Sequence, residues 1–349
     1  MNVQGYAAQS ATEALSPFRF HRREPRANDV VIEILYCGVC HSDLHSVRND
    51  WGGATYPMVP GHEIIGRVVS VGAEVAKFKV GDNVGVGCMV DSCQHCDPCE
   101  HGLEQYCKEG ATFTYDGVDR HDGMPTYGGY SEKIVVSDKF VLKVPDGIDL
   151  KGAAPLLCAG ITTYSPLRHW GVREGSSVAV VGLGGLGHMA LKLAKAMGAN
   201  VTLFTRSPRK EQEARRLGAD NVLISTDAAQ LASVKGKFDL IIDTVPYIHD
   251  LNPYVPSVAL NGTLVLVGYL GGLDPALNTT PMILGRKSVA GSLIGGIPET
   301  QELLDFCGKH GITADVEMTN IQEINEAYER MLKSDVKYRF VIDMASLRA

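Results

Sequence analysis

The sequence predicts a two-domain α/β protein, a β-rich domain followed by a doubly wound parallel sheet, with the end of the chain returning to the first domain. Three observations carry this reading. Between about 28 and 150, glycines at 61, 66, 72, 81, 85 and 87 separate brief Val/Ile runs. That pattern suits a strongly bent antiparallel sheet or small barrel and not a helical bundle. Near 150 the rhythm changes to apolar strands alternating with helical stretches, as in a parallel sheet with crossover helices. A last apolar run at 338–343 then reads as a strand. The boundaries expected are 1–151, with a cysteine lobe at 91–110, then 152–290, then the return over 291–349.

In order, residues 30–36 (VVIEILY) alternate as a half-buried strand and end at Cys37-Gly38-Val39-Cys40. Ser177–Val181 is a buried strand, 182–187 a turn and 188–197 a helix. The next strand is 201–204. Ser207 stands as an N-cap with Pro208 at the first helical position, opening a helix over 209–217. Phe238–Asp243 and 263–267 are further apolar strands.

The 349 residues, 45% of them hydrophobic, supply cores for two domains of ordinary size. A net charge of −7 argues against a nucleic-acid partner, whose phosphates demand a basic surface. Residues 1–15 lack a basic stretch leading into an apolar core, so no export signal is expected. No run approaches the roughly 18 apolar residues of a membrane span. A cytoplasmic protein is therefore expected, in which nine cysteines point to metal or catalytic use more than to disulfides.

Seven cysteines fall into two sets or their neighbourhood. The first reads Cys93-x2-Cys96-x2-Cys99-x7-Cys107. Four thiolates close the tetrahedral shell of a zinc ion and leave no room for chemistry. The ferredoxin spacing C-x2-C-x2-C-x3-C-P differs, because the last gap here is seven and no proline follows, so a structural zinc lobe is preferred. A nucleic-acid-binding ribbon is opposed by Asp91, Asp97, Glu100, Glu104 and Glu109 against Lys108; His95 and His101 read as surface residues. The second set is Cys40, His62 and Cys158, three ligand types that leave a fourth position open. Asp43 and Glu63 beside them are the carboxylates that fix an imidazole and tune an ion. Cys37 lies close to this set, and Cys88 and Cys307 read as small buried hydrophobes.

Gly182-Leu-Gly184-Gly185-Leu186-Gly187 follows a strand and opens a helix, the context a dinucleotide fingerprint requires. At the end of the second strand stands Thr205, where an NAD enzyme usually carries a carboxylate, followed by Arg206, Ser207 and Lys210. A carboxylate would repel a 2′-phosphate, whereas Arg pairs with one, so NADP(H) is the cofactor expected.

On these residues the chain resembles the zinc-containing medium-chain alcohol dehydrogenases. Gly61-His62-Glu63-x2-Gly66-x5-Gly72-x2-Val75 matches that family's zinc signature at each fixed position. Cys37-Gly-Val-Cys40-His-Ser-Asp43 and Pro155-Leu-Leu-Cys158-Ala-Gly-Ile-Thr-Thr-Tyr-Ser-Pro are similar to its cinnamyl-alcohol-dehydrogenase branch, which includes broad-range NADPH aldehyde reductases. The resemblance runs from Asp29 to Asp343.

It implies a GroES-like catalytic domain, a Rossmann NADP-binding domain and two zinc ions per subunit, with Glu63 as a neighbour of the catalytic ion. It also implies that small-molecule aldehydes are reduced to alcohols by hydride transfer from NADPH. Ser42 and His45 would relay the proton, Thr162 would pack on the nicotinamide, and Arg339 would meet the pyrophosphate. Trp51, Met89 and Ile294 would form an apolar pocket wall suited to alkyl or aryl aldehydes. Related enzymes often dimerise through the cofactor domain, which implies a homodimer. An NAD-linked polyol dehydrogenase would carry a strand-end carboxylate and a glutamate ligand, which Thr205 and Cys158 oppose. A catalytically silent member of the fold would lack the zinc ligands this chain keeps.

Overall fold

The computed structural model describes residues 1–268 and 271–348 and divides into two compact units. One comprises Met1–Cys158 with Gly295–Ala349, the other Ala159–Ile294. The divisions fall later than the 151 and 290 expected. The helical turns Leu150–Ala153 and Ala154–Leu157 belong to the first unit and deliver Cys158 there.

The first unit is built on a seven-stranded sheet in the order Val316–Asn320, Arg339–Asp343, Asp29–Val39, Ile64–Val71, Asn83–Val86, Leu142–Lys143, with Lys133–Ser137 also paired to Asp29–Val39. All pairings are antiparallel except the first, and the sheet is forked. One edge of Asp29–Val39 runs along Ile64–Val71. Its other edge is shared, residues 29–33 pairing with Lys133–Ser137 and 36–39 with Arg339–Asp343.

This division explains why the strand continues three residues beyond the expected 36. Phe340 lies opposite Val39 and Ile342 opposite Cys37, so the ladder persists to the residue before Cys40. The returning strand itself starts at Arg339, one residue later than expected. Ile32, Ile64, Ile65, Ile134, Phe140, Leu142 and Phe340 are almost fully buried around this sheet. Side chains of this size each contribute about 1.5–3 kcal/mol on leaving water. An unforeseen hairpin, Asn2–Ala7 with Ser16–His21, precedes it.

In the second unit a six-stranded parallel sheet has the order Asn221–Ile224, Asn200–Thr205, Ser177–Val181, Phe238–Asp243, Val258–Leu266, Ser288–Gly291. The chain starts in the middle, builds outward on one side, then crosses to the other. The strand order therefore reverses between Ser177–Val181 and Phe238–Asp243, where open α/β sheets bind ligands.

The following helix begins at Gly185, inside the glycine run and earlier than the expected 188. The helix expected over 209–217 is a 3-10 turn, Pro208–Lys210, followed by Glu211–Arg216. Ser207 sits extended before it, but its side chain caps nothing. Val258–Leu266 begins five residues before the expected 263, because exposed Leu260 and Asn261, at φ 63°, interrupt the apolar run that would mark a strand. No helix among the described residues is long and apolar enough to cross a membrane.

Candidate active site

Cys40 emerges from the central strand of the first unit as the N-cap of helix His41–Val47. Asp43, three residues on, turns back and accepts the Cys40 backbone N–H at 2.9 Å, closing a capping box. The same carboxylate, 0% exposed, accepts from Gly61 N at 3.0 Å, His62 Nδ1 at 3.0 Å and the Tyr130 hydroxyl at 3.4 Å. A carboxylate only accepts, so His62 carries its proton on Nδ1 and turns the Nε2 lone pair outward.

The Cys40 and Cys158 sulfurs are 3.9 Å apart. Ligand atoms of Cys40, His62, Glu63 and Cys158 all lie within 4.8 Å of one another, and all four residues are buried. Two thiolates at the usual zinc–sulfur distance of about 2.3 Å and a tetrahedral angle would stand about 3.8 Å apart, so the donor set fits such an ion. The hydrogen bond between the two sulfurs holds Cys40 well below the usual thiol range and drives Cys158 above it.

Glu63, expected to help orient the imidazole, does something else. Its Oε1 pairs with Arg339 Nη2, while its Oε2 and Arg339 Nε find no hydrogen-bond partner. Burial pushes the Glu63 carboxyl up to about 7. Any side chain at Gly38 would strike Glu63 Oε2, so the close fit requires glycine there. Arg339 is 4% exposed and pairs with this carboxylate.

Ser42 and His45 lie one turn apart on the helix. Ser42 Oγ is 3.6 Å from Cys40 Sγ; His45 Nδ1 is 2.7 Å from Asp50 Oδ2, and its ring centroid is 5.5 Å from that of Trp51. Trp51 is 46% exposed, so it is no core residue, whereas Met89 is buried. Ile294 belongs to the second unit, buried and at φ 36°, a backbone region that β-branched residues rarely enter.

Several neighbours escaped the sequence reading. Tyr115 stacks on His62 with centroids 5.7 Å apart. Half-buried His41 sits beside Cys40, and burial lowers its proton affinity. Cys88 is half-buried, not a core thiol, with its sulfur 3.7 Å from the Leu157 carbonyl and in contact with Cys158. Cys307 is fully buried. Tyr130 had one available signal, the two glycines before it. Gly128, Gly129 and Tyr130 donate backbone N–H groups to Val59, Gly61 and Pro60 at 2.7, 2.8 and 3.0 Å, strapping the loop that carries His62.

The lobe gathers Cys93, Cys96, Cys99 and Cys107 within the same 4.8 Å limit. Sulfur–sulfur distances are 3.9 Å for Cys93–Cys99, 3.5 Å for Cys96–Cys99 and 4.0 Å for Cys96–Cys107, again tetrahedral spacing. Backbone N–H groups of Cys93, Cys96 and Lys108 point at the sulfurs of Cys107, Cys93 and Cys96. The Lys108 N–H holds the Cys96 thiol down to about 6, while burial pushes Cys99 up to about 12. His95 and His101 are exposed at 72% and 70%, and His95 pairs with Glu109.

In the second unit Gly182 adopts φ +91°, and a side chain on Gly187 would strike the Gly182 carbonyl. A Cβ on Gly184 would meet nothing within 4 Å, which leaves its face open. Gly184 is the N-cap of the twelve-residue helix and offers no side-chain cap, so the N–H groups at its first turn, including those of Gly185 and Leu186, suit an anion. Lys210 Nζ donates to the Leu183 carbonyl at 3.0 Å, bringing a cation beside the glycine loop. Thr205 is buried, Arg206 exposed, and the Ser207 N–H bonds Thr205 Oγ1 at 3.2 Å. Thr162 is buried on helix Ala159–His169.

Residues 26–146 match the alcohol dehydrogenase GroES-like domain, and residues 185–309 the zinc-binding dehydrogenase domain. The aldehyde reductase YahK of Escherichia coli is 53% identical over 348 residues, 99% of each chain. The cinnamyl alcohol dehydrogenase SbCAD4 from Sorghum bicolor superposes with a TM-score of 0.95 at 48% identity, over 99% of this chain and 98% of that one. The Helicobacter pylori CAD, solved with NADP(H), gives 0.91 at 45% identity over 99% of both. The chain belongs to the zinc-binding dehydrogenases with an alcohol dehydrogenase GroES-like domain.

Proposed function

We propose that this protein is an NADP(H)-dependent zinc alcohol dehydrogenase acting mainly as a broad-range aldehyde reductase, converting aldehyde and NADPH to a primary alcohol. The observation that carries the reading is the buried convergence of Cys40, His62 and Cys158 under a carboxylate that accepts four hydrogen bonds. The lack of a carboxylate at Thr205, with Arg206 and Lys210 following, supports the phosphorylated cofactor. The Escherichia coli relative is named an aldehyde reductase and the Helicobacter structure holds NADP(H), which supports both assignments.

When bound, zinc supplies a Lewis acid that polarises a carbonyl and NADPH supplies the hydride. Two thiolates and a neutral imidazole offset the ion's double charge, and Asp43 keeps His62 Nε2 as the donor. Cys93, Cys96, Cys99 and Cys107 would hold the second, structural ion. Ser42 Oγ, beside Cys40, passes a proton, and His45, oriented by Asp50, exchanges it with solvent. With the cofactor bound, Thr162 would pack on the nicotinamide and Gly182 to Gly187 would cradle the pyrophosphate; Arg339, assigned to that anion by the family resemblance, is paired with Glu63. Trp51 and Met89 in the first unit and Ile294 in the second supply the apolar side chains that support a preference for alkyl and aryl aldehydes.

The strand Ser288–Gly291 lies at the edge of the cofactor sheet, and the preceding helix exposes Ile283 and Leu284 at 77% and 81%. Pairing that edge with a second copy would cover both, which supports a homodimer. Nine free cysteines fit a reducing cytoplasm.

A screen of NADPH oxidation over aliphatic and aromatic aldehydes, with metal measured on the same sample, tests the reading. The expected result is turnover with several hydrophobic aldehydes, two zinc equivalents per chain and a kcat/KM for NADPH at least tenfold above that for NADH. Equal use of both cofactors, or turnover confined to one polyol, would reject it.

A further inference from the structure

At the C-terminal end of Phe238–Asp243, beside the point where the strand order reverses, the second unit holds a histidine clamp. Asp243 is buried, and its Oδ2 lies 2.8 Å from His249 Nε2. The other ring nitrogen, His249 Nδ1, faces the Tyr247 carbonyl at 2.8 Å. Both partners are acceptors, so an imidazole serving both carries two protons. The hydrogen bond that His249 donates to Asp243, with Asp250 nearby, outweighs partial burial and raises the proton affinity of His249. The ring is flanked by Tyr247 and Tyr254, at centroid distances of 6.3 and 6.4 Å.

The clamp fixes more than its own loop. Asp243 Oδ1 also accepts the Val245 N–H at 3.0 Å, and Thr244 Oγ1 donates to the Val181 carbonyl at 2.7 Å, just before the glycine turn. The loop is thereby fastened to the sheet at its Asp243 end, and His249 closes it back onto that end. What it presents is Tyr247, 54% exposed, whose hydroxyl meets Arg206 Nη2 at 3.4 Å. Arg206 is the cation that follows Thr205, where the sequence exchanges a ribose-binding carboxylate for basic residues. A free arginine on a loop samples many rotamers; one hydrogen-bonded from its flank loses less freedom when it meets an anion.

We infer that His249 is a positioning residue for the cofactor site, clamping Tyr247 so that its hydroxyl orients Arg206 toward the 2′-phosphate of an adenosine 2′-phosphate ligand. The inference rests on the NADP(H) reading above and extends it to two residues outside the basic run. No contact with the adenine is required of either residue, so the two should alter discrimination for the phosphate more than general affinity.

Calorimetry on the full-length protein, with adenosine 2′,5′-bisphosphate and 5′-AMP as the probes, separates the outcomes. The unaltered protein should prefer the bisphosphate. Tyr247→Phe and His249→Gln should each reduce the ratio of the two affinities by about fivefold, the worth of one ordinary hydrogen bond. Tyr247→Phe changes an exposed hydroxyl and keeps the fold testable if His249→Gln loosens the loop. Equal weakening of both ligands would reduce His249 to a structural role and overturn the inference, as would an unchanged ratio. An unaltered protein without preference for the 2′-phosphate would instead overturn the cofactor reading beneath it.

Discussion

The two sulfur-rich regions of the first unit solve the same coordination problem by opposite means. In the lobe, all four thiols lie between Cys93 and Cys107, and local backbone N–H groups steer the sulfurs. In the buried centre, the two cysteines are 118 residues apart, and charged side chains do the steering. Asp43 reaches His62 across 19 residues and Arg339 reaches Glu63 across 276. A lobe assembled from neighbours needs little of the fold. The centre exists only once the seven-stranded sheet has brought its strands together, and its polar atoms depend on each other because water is excluded.

The sharpest way to break this contrast is to remove one ligand from each region. His62→Ala should lose one zinc equivalent and on the order of a thousandfold in kcat/KM, the scale of losing Lewis-acid activation, while keeping the circular dichroism spectrum. Cys96→Ser should lose the other equivalent and lower the thermal midpoint and soluble yield, because structural zinc contributes directly to folding. If His62→Ala sheds both ions, the two regions are not independent.

An effect of similar size, on stability instead of turnover, is expected at Arg339, which tests the claim that charge pairs hold the centre. Arg339→Ala leaves the Glu63 carboxylate buried and unpaired, and should cost about 3–5 kcal/mol in denaturant unfolding. The double change with Glu63→Gln should recover part of that loss. Full additivity would show that the pair is not coupled.

Smallest of all is the support behind the imidazole. Asp43→Asn should weaken the catalytic zinc about 10–100-fold in a chelator competition, the usual cost of losing such a partner. Tyr130→Phe removes one long hydrogen bond and should weaken it about fivefold, leaving the lobe's ion as an internal reference. An equal loss from both sites in either variant would point to general destabilisation.

The same contrast decides what could be read from the sequence. The lobe was legible because its spacing is its geometry, and the glycine fingerprint because a strand and helix must flank it. Cys40, His62 and Cys158 could be grouped by ligand type and adjoining carboxylates, with the family signatures as support, since nothing local joins three residues so far apart. Tyr115, Tyr130 and His41 were missed because each acts through tertiary contact with no spacing of its own. The roles of Asp43 and Glu63 were alike in sequence, each a carboxylate near a ligand, yet burial beside Arg339 sends one to an ion pair and the capping box sends the other to the imidazole. Strand ends were misjudged where pairing overrode composition, as at Val39, or where a left-handed residue hid inside a strand, as at Asn261.

The strand that completes the ladder beside Cys40 is translated after both cysteine sets and after the entire Ala159–Ile294 unit. On the ribosome, then, the lobe and the parallel sheet can mature while the centre still waits for residues 339–343. A chain stalled before Arg339 would carry a finished coenzyme fold beside a half-made metal pocket, its Glu63 deprived of the guanidinium that accompanies it in the mature protein.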